Sequence, residues 1–218
     1  KVAIYEANGK VGGRCKSDYI DGYILDKGLH FFQKGYSESK NTFDFKSLRM
    51  EPIYPGAMIH YNNNFHLVTN PLLNIRDVFS MAFLPFMNFR DKMKLGAMLT
   101  FLMTSSDDQL KKFQSITTKE YLVSRGFSEK LIETVFRPLC HAIYFDASLN
   151  TSAYLFTSML KNFAFEDSTL PAYGIGSIAV QLGEKLEEDT VHFHSKVKNI
   201  FEDSVELKYC VKVEKLNY

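Results

Sequence analysis

The sequence predicts an α/β domain interrupted by a mainly helical one. Short β-type runs separated by Gly, Asn and Asp fill residues 1–70, and apolar spacing of three and four takes over across 71–165. Mixed strand and helix patterns return over 166–218. An α/β beginning, a helical middle and an α/β ending read as one domain with another inserted into it.

In the first region the runs KVAIY, DGYIL, EPIYPGAMIHY and NFHLV are rich in β-branched and aromatic residues, and helix signals are scarce. The middle region has Asn88, Thr117, Ser128 and Thr151 where helix N-caps would stand, and Thr117 with Glu120 fits a capping box. Its helices are expected to end near Gly126 and to bend around Pro85 and Pro138, because an interior proline removes a backbone donor. The last region contains GIGSIAVQLGEKLEED, a helix opened by glycines, then TVHFHSKVKNIF and a hairpin-like SVELKYCVKVEKLNY.

With 218 residues, 45% of them hydrophobic, the chain can bury one large core or two modest ones. Lys and Arg number 26 against 25 Asp and Glu, with no basic block interleaved with aromatics, which argues against a nucleic-acid partner. The three cysteines, Cys15, Cys140 and Cys210, are far apart and form no Cys-x-x-Cys pair, so neither a disulfide framework nor a structural zinc is expected. No run reaches the roughly 18 apolar residues of a membrane span. The first residues lack a charged segment followed by an apolar run. The expected location is cytoplasmic, with peripheral membrane contact left open.

The stretch EANGKVGGRCKSDYIDGYILDKGLHFF, residues 6–32, carries the chemistry. Glu6 follows an apolar strand directly, where the acid of a dinucleotide-binding βαβ unit accepts hydrogen bonds from ribose hydroxyls. The matching glycine fingerprint would lie about 20 residues upstream. That position falls ahead of Lys1, so Ile4 and its neighbours read as the second strand of a partial Rossmann-like unit. Gly12 and Gly13 permit positive φ and close main-chain approach, and Arg14 is a planar donor suited to phosphate oxygens. Gly28 and His30 close a further strand, where a flat ligand can lie against the backbone. Taken singly, each of these residues also has a bland reading: a solvated strand end, a turn, a core or surface histidine.

In order and spacing, Glu6-Ala7, Gly12-Gly13-Arg14, Asp21-Gly22-Tyr23 and Asp26-Lys27-Gly28-Leu29-His30 resemble the flavin-containing amine oxidase, protoporphyrinogen oxidase and phytoene desaturase superfamily. GFSEKLIETVFRPLCHAIYFD and LPAYGIGSIAVQLGEKL extend the similarity toward its phytoene-desaturase-like branch. The resemblance implies FAD as cofactor, with Glu6 and Ala7 among the residues that bind it, Glu6 at the ribose, and Gly12 and Gly13 along the pyrophosphate and ribityl path. It places Arg14 near the phosphates or flavin, Gly28 and His30 near the isoalloxazine, and Val197 at the adenine through its backbone. Two departures stand out: Pro171-Ala172-Tyr173-Gly174 has a tyrosine where the family pattern has a glycine, and the segment that closes over the flavin in the family would lie beyond Tyr218.

By the same resemblance the reaction is a desaturase- or oxidase-like oxidation of a hydrophobic small molecule, with no catalytic side chain assigned. Three alternatives stand beside it: a polyene isomerase using flavin, a non-catalytic binding module without FAD, and a nicotinamide-dependent protein whose ribose Glu6 would suit equally. The Phe-, Met- and Leu-rich insert, in runs such as VFSMAFLPFMNF, is core, a substrate tunnel or a bilayer-docking surface. His192 and His194 share a strand face without a matching carboxylate or thiolate, so no metal is expected. Arg137 and His141, four apart on a helix, can face a ligand together.

Overall fold

A computed structural model describes residues 2–28, 31–54, 56–69, 83–209 and 213–217. His30 therefore lies outside the described residues. The chain divides into two compact units, one of residues 1–32, 37–52 and 169–218, the other of residues 33–36 and 53–168. The hairpin Gly56–Tyr61 with Asn64–Thr69 belongs to the second unit together with the described helices that follow it.

In the first unit the strand Ile4–Tyr5 pairs in parallel with Val191–His192, Ile4 opposite Val191 and Tyr5 opposite His192. Cys15–Ile20 and Tyr23–Gly28 form an antiparallel hairpin. The two-residue turn, Asp21-Gly22, has positive φ at both positions (50° and 82°), which Asp-Gly accommodates at little cost. Ser195–Ile200, Ser204–Tyr209 and Val213–Asn217 make an antiparallel meander, so the hairpin expected from SVELKYCVKVEKLNY is present with one more strand. The glycine-opened helix runs Gly176–Gly183. Its Ile175 and Ile178 pack with Leu48 as a small core, bordered by Cys15, Phe32, Phe43, Phe45, Met50 and Leu170. The first region also holds a short helix, Ser37–Thr42, where few helix signals stood.

The second unit is helical with one contiguous core, in which Leu102, Leu122, Leu131, Cys140, Leu149 and Phe156 are fully buried. An aromatic chain threads it: Phe113 meets Tyr121 at 5.1 Å between ring centroids, Tyr121 meets Phe156 at 6.4 Å, and Phe156 meets Phe136 at 5.7 Å. Such edge-on pairs add to their area burial. Over Tyr121, Phe101 and Phe113 sits the guanidinium of Arg125, at 4.9, 5.2 and 5.8 Å from the ring centroids, so a cation closes the aromatic surface at the end of Thr118–Ser124. Burial pushes the Cys140 thiol up to about 12, which makes it an inert core group.

Asn88, Thr117 and Ser128 are N-caps as expected, the first two in full capping boxes. Thr151 is not a cap; Ser152 caps Ala153–Phe165 instead. The amide and hydroxyl of Thr151 both donate to Asp146, at 2.6 and 2.7 Å, which holds it in the preceding loop. Pro85 precedes the helix Phe89–Thr104 and bends none of the described helices. Pro138 does perturb its helix: Ile132–Phe136 is a π-helical turn immediately before Arg137–Tyr144, since the ring cannot donate and crowds the carbonyl four residues back.

Candidate functional site

Glu6 stands where the parallel strand Ile4–Tyr5 ends. Its amide donates to His192 O at 2.9 Å and its carbonyl accepts from Ser195 N at 2.8 Å, so the backbone is fixed on both sides. The carboxylate Oε1 accepts from Asn8 N at 2.7 Å and Asn8 Nδ2 at 2.8 Å, leaving Oε2 as an open acceptor. These two hydrogen bonds hold the carboxyl below its ordinary value of 4.5, so it is ionised at neutral pH. An ionised carboxylate only accepts, which suits hydroxyl ligands.

The Gly12-Gly13-Arg14 segment is a tight turn closed by Cys15 N donating to Gly12 O at 2.7 Å. At Gly12, φ is +117° and a Cβ would collide with the Cys15 carbonyl; at Gly13, φ is +52° and the space a Cβ would enter is open. Gly28 packs on the same turn, with φ +92° and the Arg14 carbonyl 2.9 Å from where its Cβ would be. Arg14 is exposed and its side chain makes no ion pair or hydrogen bond among the described residues. Gly12→Ala is therefore expected to unfold the turn, with a melting temperature many degrees lower. Gly13→Ala is expected to cost only the roughly 1–2 kcal/mol of a left-handed non-glycine residue. Thermal unfolding of the two variants checks the contrast.

Glu6 and Gly12 line one open groove of about 460 Å³ with Ile4, Ala179, Leu182 and Val191. Ala7 is exposed beside Glu6. Val197 lies on the strand Ser195–Ile200, two residues beyond the Ser195 amide that donates to the Glu6 carbonyl, and it pairs with Leu207. The groove is lined by neither Val197 nor Gly13, Arg14 and Gly28.

A second set of groups locks the hairpin to the Gly176–Gly183 helix. Asp26 Oδ1 accepts from Ser17 Oγ at 2.5 Å and from Ile175 N at 2.9 Å, while Gly176 N donates to Ser17 Oγ at 2.9 Å. Two amides at the start of that helix are thus satisfied by side chains of the hairpin. Gly174, at φ +82°, permits the approach: a Cβ there would sit 2.8 Å from Asp26 Oδ1. Tyr173, in the place of a glycine in the family pattern, accepts from Arg49 at 2.9 Å through its hydroxyl and from Tyr19 OH at 2.5 Å through its carbonyl. Asn8, Ser17, Asp26 and Gly176 escaped the sequence reading as site-forming residues. Asn8 stands two residues from Glu6, whereas Ser17 and Asp26 find their partners Ile175 and Gly176 far along the chain, beyond the reach of a local signal.

Two candidate pairings change. Arg137 is held by Glu133, with Nε to Oε2 at 2.6 Å and Nη2 to Oε1 at 2.5 Å, and it also donates to Ala147 O in the loop after its helix, so its guanidinium is engaged within the protein rather than offered to a ligand beside His141. His192 ends its strand stacked on Tyr5 at 5.2 Å, whereas His194 lies outside that strand at φ +55°, so the two do not share a strand face. Among the described residues no group of three His, Cys, Asp or Glu side chains is arranged to hold a metal, and no helix is long and apolar enough to cross a membrane.

A family model described as flavin containing amine oxidoreductase matches residues 1–215. No curated protein matches the sequence. Solved structures do. A putrescine oxidase bound to putrescine aligns with 95% of this chain and 49% of its own, at 14% identity and a TM-score of 0.60. Cyclohexylamine oxidase from Brevibacterium oxydans aligns with 100% of this chain and 51% of its own, at 16% identity and a TM-score of 0.57. A fatty acid isomerase from P. acnes that produces CLA aligns with 98% and 50%, at 13% identity and a TM-score of 0.58. At these identities the likeness is one of fold, and the chain spans about half the length of the structures it matches.

Proposed function

This chain belongs to the flavin containing amine oxidoreductase family, and on that premise we propose that its protein is an FAD-dependent oxidoreductase acting on a hydrophobic small molecule. The unit around Glu6 would hold the cofactor. The observation that carries this reading is an ionised Glu6 carboxylate with Oε2 open, on a groove shared with Gly12. The donor and acceptor set fits FAD. Glu6 Oε2 would accept from the ribose hydroxyls, the open space over Gly13 leaves room for the pyrophosphate, and Arg14 offers its unengaged guanidinium to phosphate oxygens. Gly28 and the Val197 backbone would lie along the same ligand. No described residue is assigned to the chemical step.

When bound, FAD supplies the electron acceptor of the oxidation. The residues of this chain bind and orient it: Glu6 fixes the ribose, and Arg14 offsets phosphate charge. The apolar insert supports a hydrophobic substrate, because Phe-, Met- and Leu-rich helices can wall a site that excludes water. Absorption of the purified full-length protein in the flavin bands tests the reading. Bound flavin is expected in the parent protein, with occupancy reduced several-fold in Arg14→Ala at an unchanged melting temperature, since Arg14 has no structural partner among the described residues. A colourless protein that cannot be loaded with FAD overturns it.

A further inference from the structure

Arg49 has φ +48°, the left-handed region that suits glycine and strains a residue with a side chain. Its backbone is held there from both sides: the amide donates to Lys46 O at 3.2 Å and the carbonyl accepts from Ala172 N at 3.1 Å, just before the strand Met50–Pro52 begins. The side chain that this conformation presents is exposed and has no carboxylate partner among the described residues. Here a strained backbone carries a charge that no structural ion pair matches, the kind of strain that marks a binding residue.

The guanidinium is nevertheless aimed. Nη1 donates to the Tyr173 hydroxyl at 2.9 Å, and Cζ lies 5.6 Å from the centre of the Tyr173 ring. Tyr173 is anchored in turn, because Tyr19 OH donates to its carbonyl at 2.5 Å. Since the Tyr173 hydroxyl accepts from Arg49, its own proton is left without an acceptor among the described residues. Apolar surface borders these donors. Tyr19 and Ile24, opposite each other in the hairpin, are 65% and 40% exposed, and Ile24 Cγ2 lies 2.6 Å from where a Cβ on Gly174 would be.

We propose that Arg49 and Tyr173 bind the carboxylate of a small amphipathic organic acid whose apolar chain lies along Tyr19 and Ile24. All four residues belong to the first unit. The planar guanidinium offers its remaining N–H donors in the fork that a carboxylate matches, and the phenol adds one more. A carboxylate supplies both of the missing partners: a negative charge for Arg49 and an acceptor for the Tyr173 proton. This inference is independent of the assignment of FAD.

Calorimetric titration of the full-length protein with octanoate, 1-octanol and acetate reads the site. Octanoate is expected to bind at least tenfold more tightly than 1-octanol, which lacks the charge, and than acetate, which lacks the chain. Arg49→Gly is expected to weaken octanoate binding tenfold or more and to melt no lower than the parent, because glycine takes the left-handed conformation without strain. Tyr173→Phe keeps the ring, removes the donor and is expected to weaken binding several-fold. Octanoate that fails to bind, or binds no more tightly than 1-octanol, overturns the proposal. So does an affinity that Arg49→Gly or Tyr173→Phe leaves unchanged, and so does a lower melting temperature in Arg49→Gly, which would make the guanidinium a structural clamp.

Discussion

Asp91→Ala is expected to lower the stability of the helical unit by about 3 kcal/mol or more, the largest single effect among side chains away from the candidate site. Asp91 is 1% exposed and serves two helix starts at once. Its carboxylate completes the capping box with Asn88 and reaches across to Ser128, accepting from the amide at 2.9 Å and from the hydroxyl at 2.6 Å. Removing it leaves part-buried donors of both helix starts unpaired, and Ser128 is itself the cap of the segment that leads into the π-turn. Asp91→Asn keeps an acceptor and should lose about half as much. Thermal unfolding reads the difference: a shift on the order of 10 °C or more is expected for the alanine variant. A melting temperature equal to that of the parent would show that these bonds are dispensable.

Glu6→Gln is expected to weaken FAD binding by roughly 10- to 100-fold, because it exchanges a charged acceptor of ribose hydroxyls for a neutral amide. Its pH dependence has a definite sign. The bonds from Asn8 hold the Glu6 carboxyl below its ordinary 4.5, so the ionised form persists as pH falls from neutral. Affinity contributed by Glu6 should be level from about pH 8 to pH 5 and decline only once pH passes below that ordinary value. Titrating FAD fluorescence across this range, in the parent and in Glu6→Gln, should show this acid limb in the parent alone. An equal response in both would remove Glu6 from the ligand.

Signals with a short-range physical cause are legible in the sequence. Asn88, Thr117 and Ser128 cap helices because their side chains reach amides two or three residues on, an interaction written in adjacent residues. The glycine-opened helix and the final hairpin are legible for the same reason. What escapes depends on distant partners. Thr151 has the side chain of a cap, but Asp146 takes it, and Ser152 caps instead. Cys15–Ile20 has no clean alternation, yet it is a strand because Tyr23–Gly28 pairs with it across an Asp-Gly turn. The Ser17 and Asp26 lock needs Ile175 and Gly176, which lie 149 and 159 residues further along the chain, and nothing local in sequence announces it. At the candidate site the acid and the glycines are legible as residues. The open oxygen of Glu6, the free space over Gly13 and the groove joining Glu6 to Gly12 belong to the fold.

Whether Glu6 and the Gly12-Gly13-Arg14 turn grip one FAD molecule is tested most directly by a crystal structure of the full-length protein with FAD present. The expected result is the ribose of the adenosine half against Glu6 Oε2 and the phosphates beside Gly13 and Arg14. FAD bound elsewhere, with Glu6 and Arg14 facing solvent, would contradict it.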